Sequence, residues 1–374
     1  MALDLYQKLC DLNLLKRAWH IARNDSRTAF MYDPYRYSDF GFHLEEYLQN
    51  LSQRLRNGSY HPKPLQKIDV PKSSFSVRPG SVLQIEDKIV LFAITCLIAP
   101  PLDKRLPPNV YSWRLKKNPK RDELFHDNEI LEFTFLKGTT IRKRIEFVEP
   151  WYAAWPHFME ESERLYEKEG YQFLVVSDIV AYFENIDLDL LRTLLLQELP
   201  QQAKIINFLI NLLEYWAWPT PHGAVAPRGI PQGNGVSSFL GNLYLLPLDR
   251  AFLSLTRRLD LKYLRYMDDV KVLSRTLASA REALFLMNDK LRGLRLNIQG
   301  AKTRILQGKE VEAELFDPRL TVVNDVIQDV LKNPNLTTTG RKQRAASLRI
   351  QLRKITGRKG IIRDKELRTY LKIV

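Results

Sequence analysis

Residues 261–274 read LKYLRYMDDVKVLS. Two runs of strand-forming residues flank Met267-Asp268-Asp269, so the segment reads as a hairpin with an acidic pair at its tip. Neighbouring carboxylates repel one another, and strands disfavour Asp. Upstream, YQFLVVSD (171–178) is a short apolar run, the pattern of a buried strand, and it ends on Asp178. An acid in that place is costly unless a cation or a donor compensates it. Alone, Asp178 would read as a strand-end turn or a helix cap, and the acidic pair as an ordinary hairpin turn. Together they break local rules twice, as functional sites do. A divalent cation resolves both conflicts, because carboxylates from two strands supply the hard oxygen ligands that magnesium takes.

Outward from these segments, helical spacing recurs. Residues 187–198 and 201–216 read as helices, followed by the Gly/Pro-rich loop PHGAVAPRGIPQGNG (221–235). One helix is expected from about Ser237 to Arg258, and another over 278–293. LNIQGAKTRI (296–305) then reads as strand or loop. Before the apolar run, Trp155 to Lys168 reads as a helix ending at Gly170. Residues 84–102 read as a buried helix, and 66–78 as a basic hairpin or loop. In 1–60, Leu5, Leu9, Leu12, Leu15, Trp19 and Ala22 fall three or four apart, as in a helix. Residues 103–150 are polar and irregular, with EFTFLKG and RIEFVEP as strand candidates.

The chain has 374 residues, 45% of them apolar, enough for a large core. Its net charge of +14 points to a polyanionic partner, nucleic acid before an acidic membrane. Most of that charge lies in 331–374, where 13 Lys or Arg face two acids, Asp364 and Glu366. The apolar residues of this tail predict basic amphipathic helices that grip nucleic acid. Two cysteines, Cys10 and Cys96, form no CxxC, and the histidines show no HExxH, which argues against a disulfide framework or a zinc knuckle. The N-terminus lacks the pattern of a signal peptide. The longest apolar run, Ile89 to Pro101, is too short to span a bilayer. A reduced, cytoplasmic setting with no membrane is expected.

Five segments in order resemble reverse transcriptases, above all the bacterial enzymes of group II introns, retrons and phage defence. DVPKSSFSVRPGSVLQIEDKIVL (69–91) resembles the fingers segment, and DIVAYFENID (178–187) resembles motif A. RGIPQGNGVSSFLGNLYLLPLD (228–249) is similar to motif B, YLRYMDDVKVLS (263–274) to motif C, and GLRLNIQGAKTRIL (293–306) to the motif D region. VYSWR (110–114) stands where the family has an aromatic-Arg segment. Asn234 departs from the small residue that many intron enzymes carry after PQG.

The resemblance implies an α+β fold, a right-hand polymerase with fingers, a palm of antiparallel sheet packed on helices, and a short basic helical thumb. The expected layout is an N-terminal helical extension over 1–60, fingers with an irregular insertion over 61–170, palm over 171–310 and thumb-like region over 311–374. The implied activity is RNA-directed DNA synthesis. Asp178, Asp268 and Asp269 would hold two Mg2+ ions, with Mn2+ as a substitute and the backbone of Ile179 as a further ligand. Lys302 would act as general acid toward pyrophosphate. Lys72, Arg78, Gln232 and Gly233 would bind the nucleotide. Phe183 would be the steric gate against a ribose 2′-hydroxyl, with Tyr182 its competitor. Arg265 and Tyr266 would shape the primer side of the hairpin. The expected partners are an RNA template, dedicated noncoding RNAs included, a DNA primer and dNTPs; a homo-oligomer or a partner protein is left open. A compact enzyme of antiviral defence is the expected setting. Two alternatives stand beside this reading: template-independent or protein-primed synthesis by the same site, and a non-catalytic, maturase-like RNA-binding protein.

Overall fold

In the computed structural model, residues 4–26, 29–31, 33–71, 77–115, 148–149, 151–217 and 228–316 are described. Four helices open the chain: α1 (Leu5–Leu9), α2 (Leu12–Ser26), α3 (Pro34–Phe42) and α4 (Leu44–Arg56). On α2 the buried residues are Leu15, Ala18, Trp19, Ile21, Ala22 and Ser26, a stripe at helical spacing that packs on α5 (Ile85–Asp103). Between them β1 (Gln66–Pro71) and β2 (Val77–Val82) pair in a two-stranded sheet. The basic hairpin read from sequence is thus present at its two arms, and residues 72–76, with Lys72, lie outside the described residues.

Helix α5 is buried on every side, with Ile89 to Ile94 all nearly inaccessible. Its first turn carries Glu86 and Asp87, the sign a helix N-terminus favours. Tyr60 donates to Asp87 (2.6 Å), as does the Lys63 amide (3.0 Å). Burial raises the pKa of Asp87 in spite of these bonds.

The second half contains α6 (Trp151–Glu167), β3 (Phe173–Ser177), the one-turn α7 (Tyr182–Asn185), α8 (Leu188–Glu198) and α9 (Ala203–Trp216). Then come α10 (Gly235–Tyr244), α11 (Leu246–Arg258), β4 (Leu261–Tyr266), β5 (Asp269–Ser274), α12 (Leu277–Gly293), β6 (Arg304–Gln307) and α13 (Lys309–Leu315). The single helix expected over 237–258 is two. The break falls at Leu245, and Pro247 stands in the first turn of α11, where its missing N–H costs nothing.

The larger sheet has the order β4-β5-β3-β6, with β5 antiparallel to both β3 and β4. Alternation along the strands sends side chains to two helical layers. On one face Tyr263 stacks on Phe252 of α11 (centroids 4.2 Å apart). On the other, Tyr266 meets Trp155 of α6 edge-on (4.9 Å), and Lys271 reaches Met159. Burial on both faces explains why β3 and β5 read as nearly continuous apolar runs. One hydrophobic core runs from α1 and α2 through α5 to α12. Cys10 and Cys96 are free and buried. Among the described residues, no helix is long and apolar enough to cross a membrane.

The chain divides into two compact units, Met1–Val70 with Val77–Ile305, and Pro71–Ser76 with Leu306–Val374. In the second, α13 buries Val311 and Leu315, and residues 317–374, which carry the basic tail, lie outside the described residues. So do 116–147, with EFTFLKG and most of RIEFVEP.

Truncation at the centre of α5 tests the placement of the core. Ile94→Ala should lower the unfolding free energy by about 2–5 kcal/mol. Phe285→Ala, at a position 75% exposed on α12, should change it by no more than about 0.5 kcal/mol. Urea midpoints measure both, and equal shifts would contradict the assignment.

Candidate active site

The register of β3 on β5 sets the geometry. Ser177 pairs with Val270, so one step further along the antiparallel ladder Asp178 comes alongside Asp269, the first residue of β5. Neighbouring strands lie about 5 Å apart. Asp268 occupies the β4–β5 turn beside them. Two segments ninety positions apart in the chain therefore deliver their acids to one end of one sheet.

The 293–303 stretch is stitched onto the same end. Ile179 bridges Ile298, through Val180 N–H to the Asn297 carbonyl (3.0 Å) and Gln299 N–H to the Asp178 carbonyl (2.7 Å). The hydroxyls of Ser177 and Thr303 are 2.8 Å apart. These bonds place Lys302, on a single 3-10 turn, over the site, where its ammonium pairs with Asp178 Oδ2. Asp178 Oδ1 accepts from the Ile179 amide (3.0 Å). The Lys302 side chain is 65% exposed, whereas that of Asp178 is largely covered.

Hard oxygen donors suited to magnesium are thus present: three carboxylates and the Ile179 carbonyl, which the bridge to Ile298 leaves out of its hydrogen bonds. Among the described residues no three acidic, His or Cys side chains are gathered into one metal shell. Asp178 is instead held by Lys302, a monovalent counter-charge at the same place. The donor set fits a divalent cation in kind.

A second group of predicted residues surrounds the PQG turn. Its backbone is sewn to two elements: Ser81 N–H of β2 donates to the Gln232 carbonyl (3.0 Å), and Ile230 N–H donates to the Phe183 carbonyl (2.9 Å). Gly229 N–H also donates to Ile186 (2.8 Å). Gln232, Gly233, Phe183 and the strand bearing Arg78 are therefore neighbours. Tyr182 and Phe183 diverge: Tyr182 is buried and donates to the Gly241 carbonyl, whereas Phe183 is partly exposed. Burial pushes the Tyr182 hydroxyl pKa well above its usual value. Ala181, between Asp178 and this pair, takes a left-handed conformation (φ 44°), unusual for a residue with a Cβ.

Asn234 has a local role. Its side chain caps α10, accepting from Ser237 N–H (2.9 Å), and donates to the Pro231 carbonyl (2.9 Å). Asn followed by GVSSFL is a capping signal that the sequence itself offers. Phe30 joins this group without a sequence signal. Its ring lies over Gly80 of β2 and over Gly233, and a Cβ at either glycine would approach it to 2.7 Å. Gly233 is also left-handed (φ +110°), so no other residue fits there without strain. Periodicity carries no sign of this contact.

One expectation needs correction. Arg265 does not face a primer; it is fully buried and pairs with Asp249 through a two-pronged contact (Nε to Oδ1 2.7 Å, Nη2 to Oδ2 2.6 Å). Burial, the largest single influence, lowers its pKa, but the charge and hydrogen bonds of Asp249 together with Tyr263 and Tyr182 outweigh it, so the net direction is upward. A strand of period two places Arg265 and Tyr263 on the α11 face, which is why neither reaches solvent. Tyr266 packs against Trp155 and Phe158.

The profile of the family described as reverse transcriptase (RNA-dependent DNA polymerase) matches residues 70–313. Among curated proteins, the group II intron-encoded protein LtrA of Lactococcus lactis subsp. cremoris is 24% identical over 221 residues, 58% of this chain and 30% of LtrA. The LtrA of strain MG1363 gives the same figures. The chain thus spans about a third of the length of the curated relatives it matches. Among solved structures, telomerase from Candida albicans in complex with a TWJ fragment of telomeric RNA aligns with a TM-score of 0.43 at 11% identity, over 66% of this chain and 42% of that one. Apo telomerase from Candida tropicalis aligns with a TM-score of 0.39 at 11% identity, over 71% and 49%. The family match takes in β2, the PQG turn, both acidic segments and Lys302 in one continuous span, and the chain belongs to the reverse transcriptase family.

Proposed function

We propose that this chain is an RNA-directed DNA polymerase that extends a DNA primer on an RNA template by metal-dependent nucleotidyl transfer. The observation that carries this reading is the β3–β5 register, which sets Asp178 beside Asp269 with Asp268 in the adjoining turn. In the proposal these carboxylates and the Ile179 carbonyl hold two Mg2+ ions, with Mn2+ able to stand in. When bound, the ions activate the primer 3′-hydroxyl and neutralise the triphosphate during in-line displacement.

The remaining roles belong to side chains. Lys302, exposed and beside Asp178, would give a proton to the pyrophosphate leaving oxygen. Gln232 and the Gly233 backbone border the nucleotide, and Arg78 and Lys72 grip its phosphates. Phe183, partly exposed beside the PQG turn, blocks a ribose 2′-hydroxyl; Tyr182, turned into the core, does not. Residues 61–170 act as fingers and 171–310 as palm, with 1–60 a helical extension. The charge of 311–374 supports a thumb-like grip on the duplex, whose binding then weakens steeply with salt. The setting we propose, bacterial antiviral defence, rests on the likeness of the five segments to phage-defence enzymes alone.

Incorporation of labelled dNTPs on an RNA template with a DNA primer and Mg2+ tests the reading. The wild-type chain should make template-complementary DNA. Asp268→Ala should lose more than the roughly 100-fold that removal of an outer-shell partner costs. No incorporation on any template, with Asp268→Ala indistinguishable from wild type, rejects the proposal; untemplated product sequence would move it to template-independent synthesis.

Substitution at the gate gives a separate result. Phe183→Val should lower the preference for dNTPs over rNTPs by roughly tenfold or more, the scale of one steric contact in a pocket. Tyr182→Phe should leave that ratio unchanged in competitive incorporation assays.

A further inference from the structure

Met267, the residue before Asp268, has φ +57°. A residue with a Cβ pays roughly 1–2 kcal/mol to sit in that left-handed region and stays there only where its surroundings dictate it. Here both polar groups of the Met267 backbone are taken. Its N–H donates to Ser112 Oγ (2.8 Å), and its carbonyl accepts from Arg265 Nη1 (3.0 Å). Ser112 and Arg265 are both fully buried.

The two partners are locked to each other. Ser112 Oγ, having accepted from Met267, donates to Asn242 Oδ1 (3.3 Å), and Asn242 Nδ2 donates to the Ser112 carbonyl (2.6 Å). Arg265 Nη1 donates to that same Asn242 Oδ1 (2.8 Å), and Nη2 to the Asn242 carbonyl (3.3 Å). With the Asp249 contacts and the Met267 carbonyl, the five guanidinium N–H groups have five acceptors. Tyr263 donates to Asp249 (2.7 Å) and closes the network. A buried polar network with its donors satisfied is rigid, and loss of one member leaves others unpaired in low dielectric.

Ser112 reaches the turn because its segment runs along β4. Val110 bridges Arg265, Arg265 N–H donates to the Asn109 carbonyl (2.9 Å), and Tyr111 N–H donates to the Arg265 carbonyl (3.0 Å). Asn109 Nδ2 adds a bond to the Tyr263 carbonyl (3.0 Å).

We infer that Ser112 and Arg265 are positioning residues that clamp the Met267 backbone from both sides and thereby hold Asp268 at the sheet end beside Asp178 and Asp269. Neither touches substrate. The inference rests on the polymerase reading for its catalytic consequence, and on the hydrogen bonds alone for its structural one. Without the Ser112 hydroxyl the Met267 amide loses its acceptor, the turn relaxes toward ordinary dihedrals, and the Asp268 carboxylate leaves its place.

The test uses the full chain and the variants Ser112→Ala and Ser112→Thr, with Ser162→Ala as control. Ser162 is another fully buried serine, whose hydroxyl donates to the Phe158 carbonyl within α6. Three quantities are read: Mn2+ binding followed by electron paramagnetic resonance without substrate, hydrogen–deuterium exchange of peptides covering 263–270, and kcat and KM as a function of Mg2+. Ser112→Ala should weaken Mn2+ binding and lower kcat by roughly 10–100-fold, the range for loss of a supporting shell. KM for dNTP should stay within about twofold, as for a group that does not touch substrate, and exchange at the turn should accelerate. Ser112→Thr, which keeps the hydroxyl, and Ser162→Ala should follow the wild type. If Ser112→Ala does not fold, Ser112→Cys, of similar shape and with a weak acceptor, replaces it and should show the same pattern. A folded Ser112→Ala or Ser112→Cys with wild-type exchange and wild-type Mn2+ binding would overturn the clamp. A wild-type chain that neither incorporates dNTPs nor binds Mn2+ would fail the polymerase reading instead, while the exchange result would still decide the clamp.

Discussion

The pairing of β3 with β5 is the constraint from which the rest of the site follows. It forces Asp178 next to Asp269, against electrostatics, because like charges side by side on neighbouring strands repel. The sheet withstands this because both strands are buried on both faces, between α6 on one side and α11 and α12 on the other. A slip of one residue would turn every one of those apolar side chains to the wrong layer. Register is therefore fixed by the hydrophobic core, and the acids at the strand end are carried along with it. The repulsion is offset in part by Lys302, whose ammonium occupies the place of a counter-charge on Asp178.

Around that end the molecule separates rigid parts from accessible ones. The turn bearing Asp268 is anchored from beneath by Ser112, Asn242, Arg265 and Asp249, all of them inaccessible to water. The PQG turn is fastened by backbone bonds to β2 and to α7. Lys302 and Phe183, by contrast, present their side chains at least partly to solvent. Groups with a structural duty are buried, and groups proposed to meet a nucleotide are reachable, the division a preorganised site requires.

Much of this was legible in the sequence, for identifiable reasons. The apolar run ending on Asp178 and the YMDD hairpin are local patterns with period two and a turn, and both form where they were expected. The helices over 85–103, 188–198, 203–216 and 277–293 follow from helical spacing, to within a residue or two. The break at Leu245 was missed although Pro247 marks it, because the apolar period continues through the break. What could not be read are contacts that no local period encodes. Ser112 meets Met267 across 155 positions, and Asn242 meets Ser112 across 130. The resemblance places Arg265 at the primer side of the hairpin; the acid that admits it to the core, Asp249, lies 16 residues away on helix α11, outside any local period. Phe30 over Gly80 and Gly233 belongs to the same class.

Convergence of the three carboxylates on one metal-binding site is the central claim, and localised cleavage measures it most directly. Fe2+ bound in place of Mg2+, with ascorbate and peroxide, cuts backbone within a few ångströms of the ion, and mass spectrometry maps the cuts. The account predicts cleavage near 178 and near 268–269 in the same sample, both suppressed by excess Mg2+ and both lost together in Asp178→Ala. Cleavage near only one of the two segments, or at neither, would contradict it.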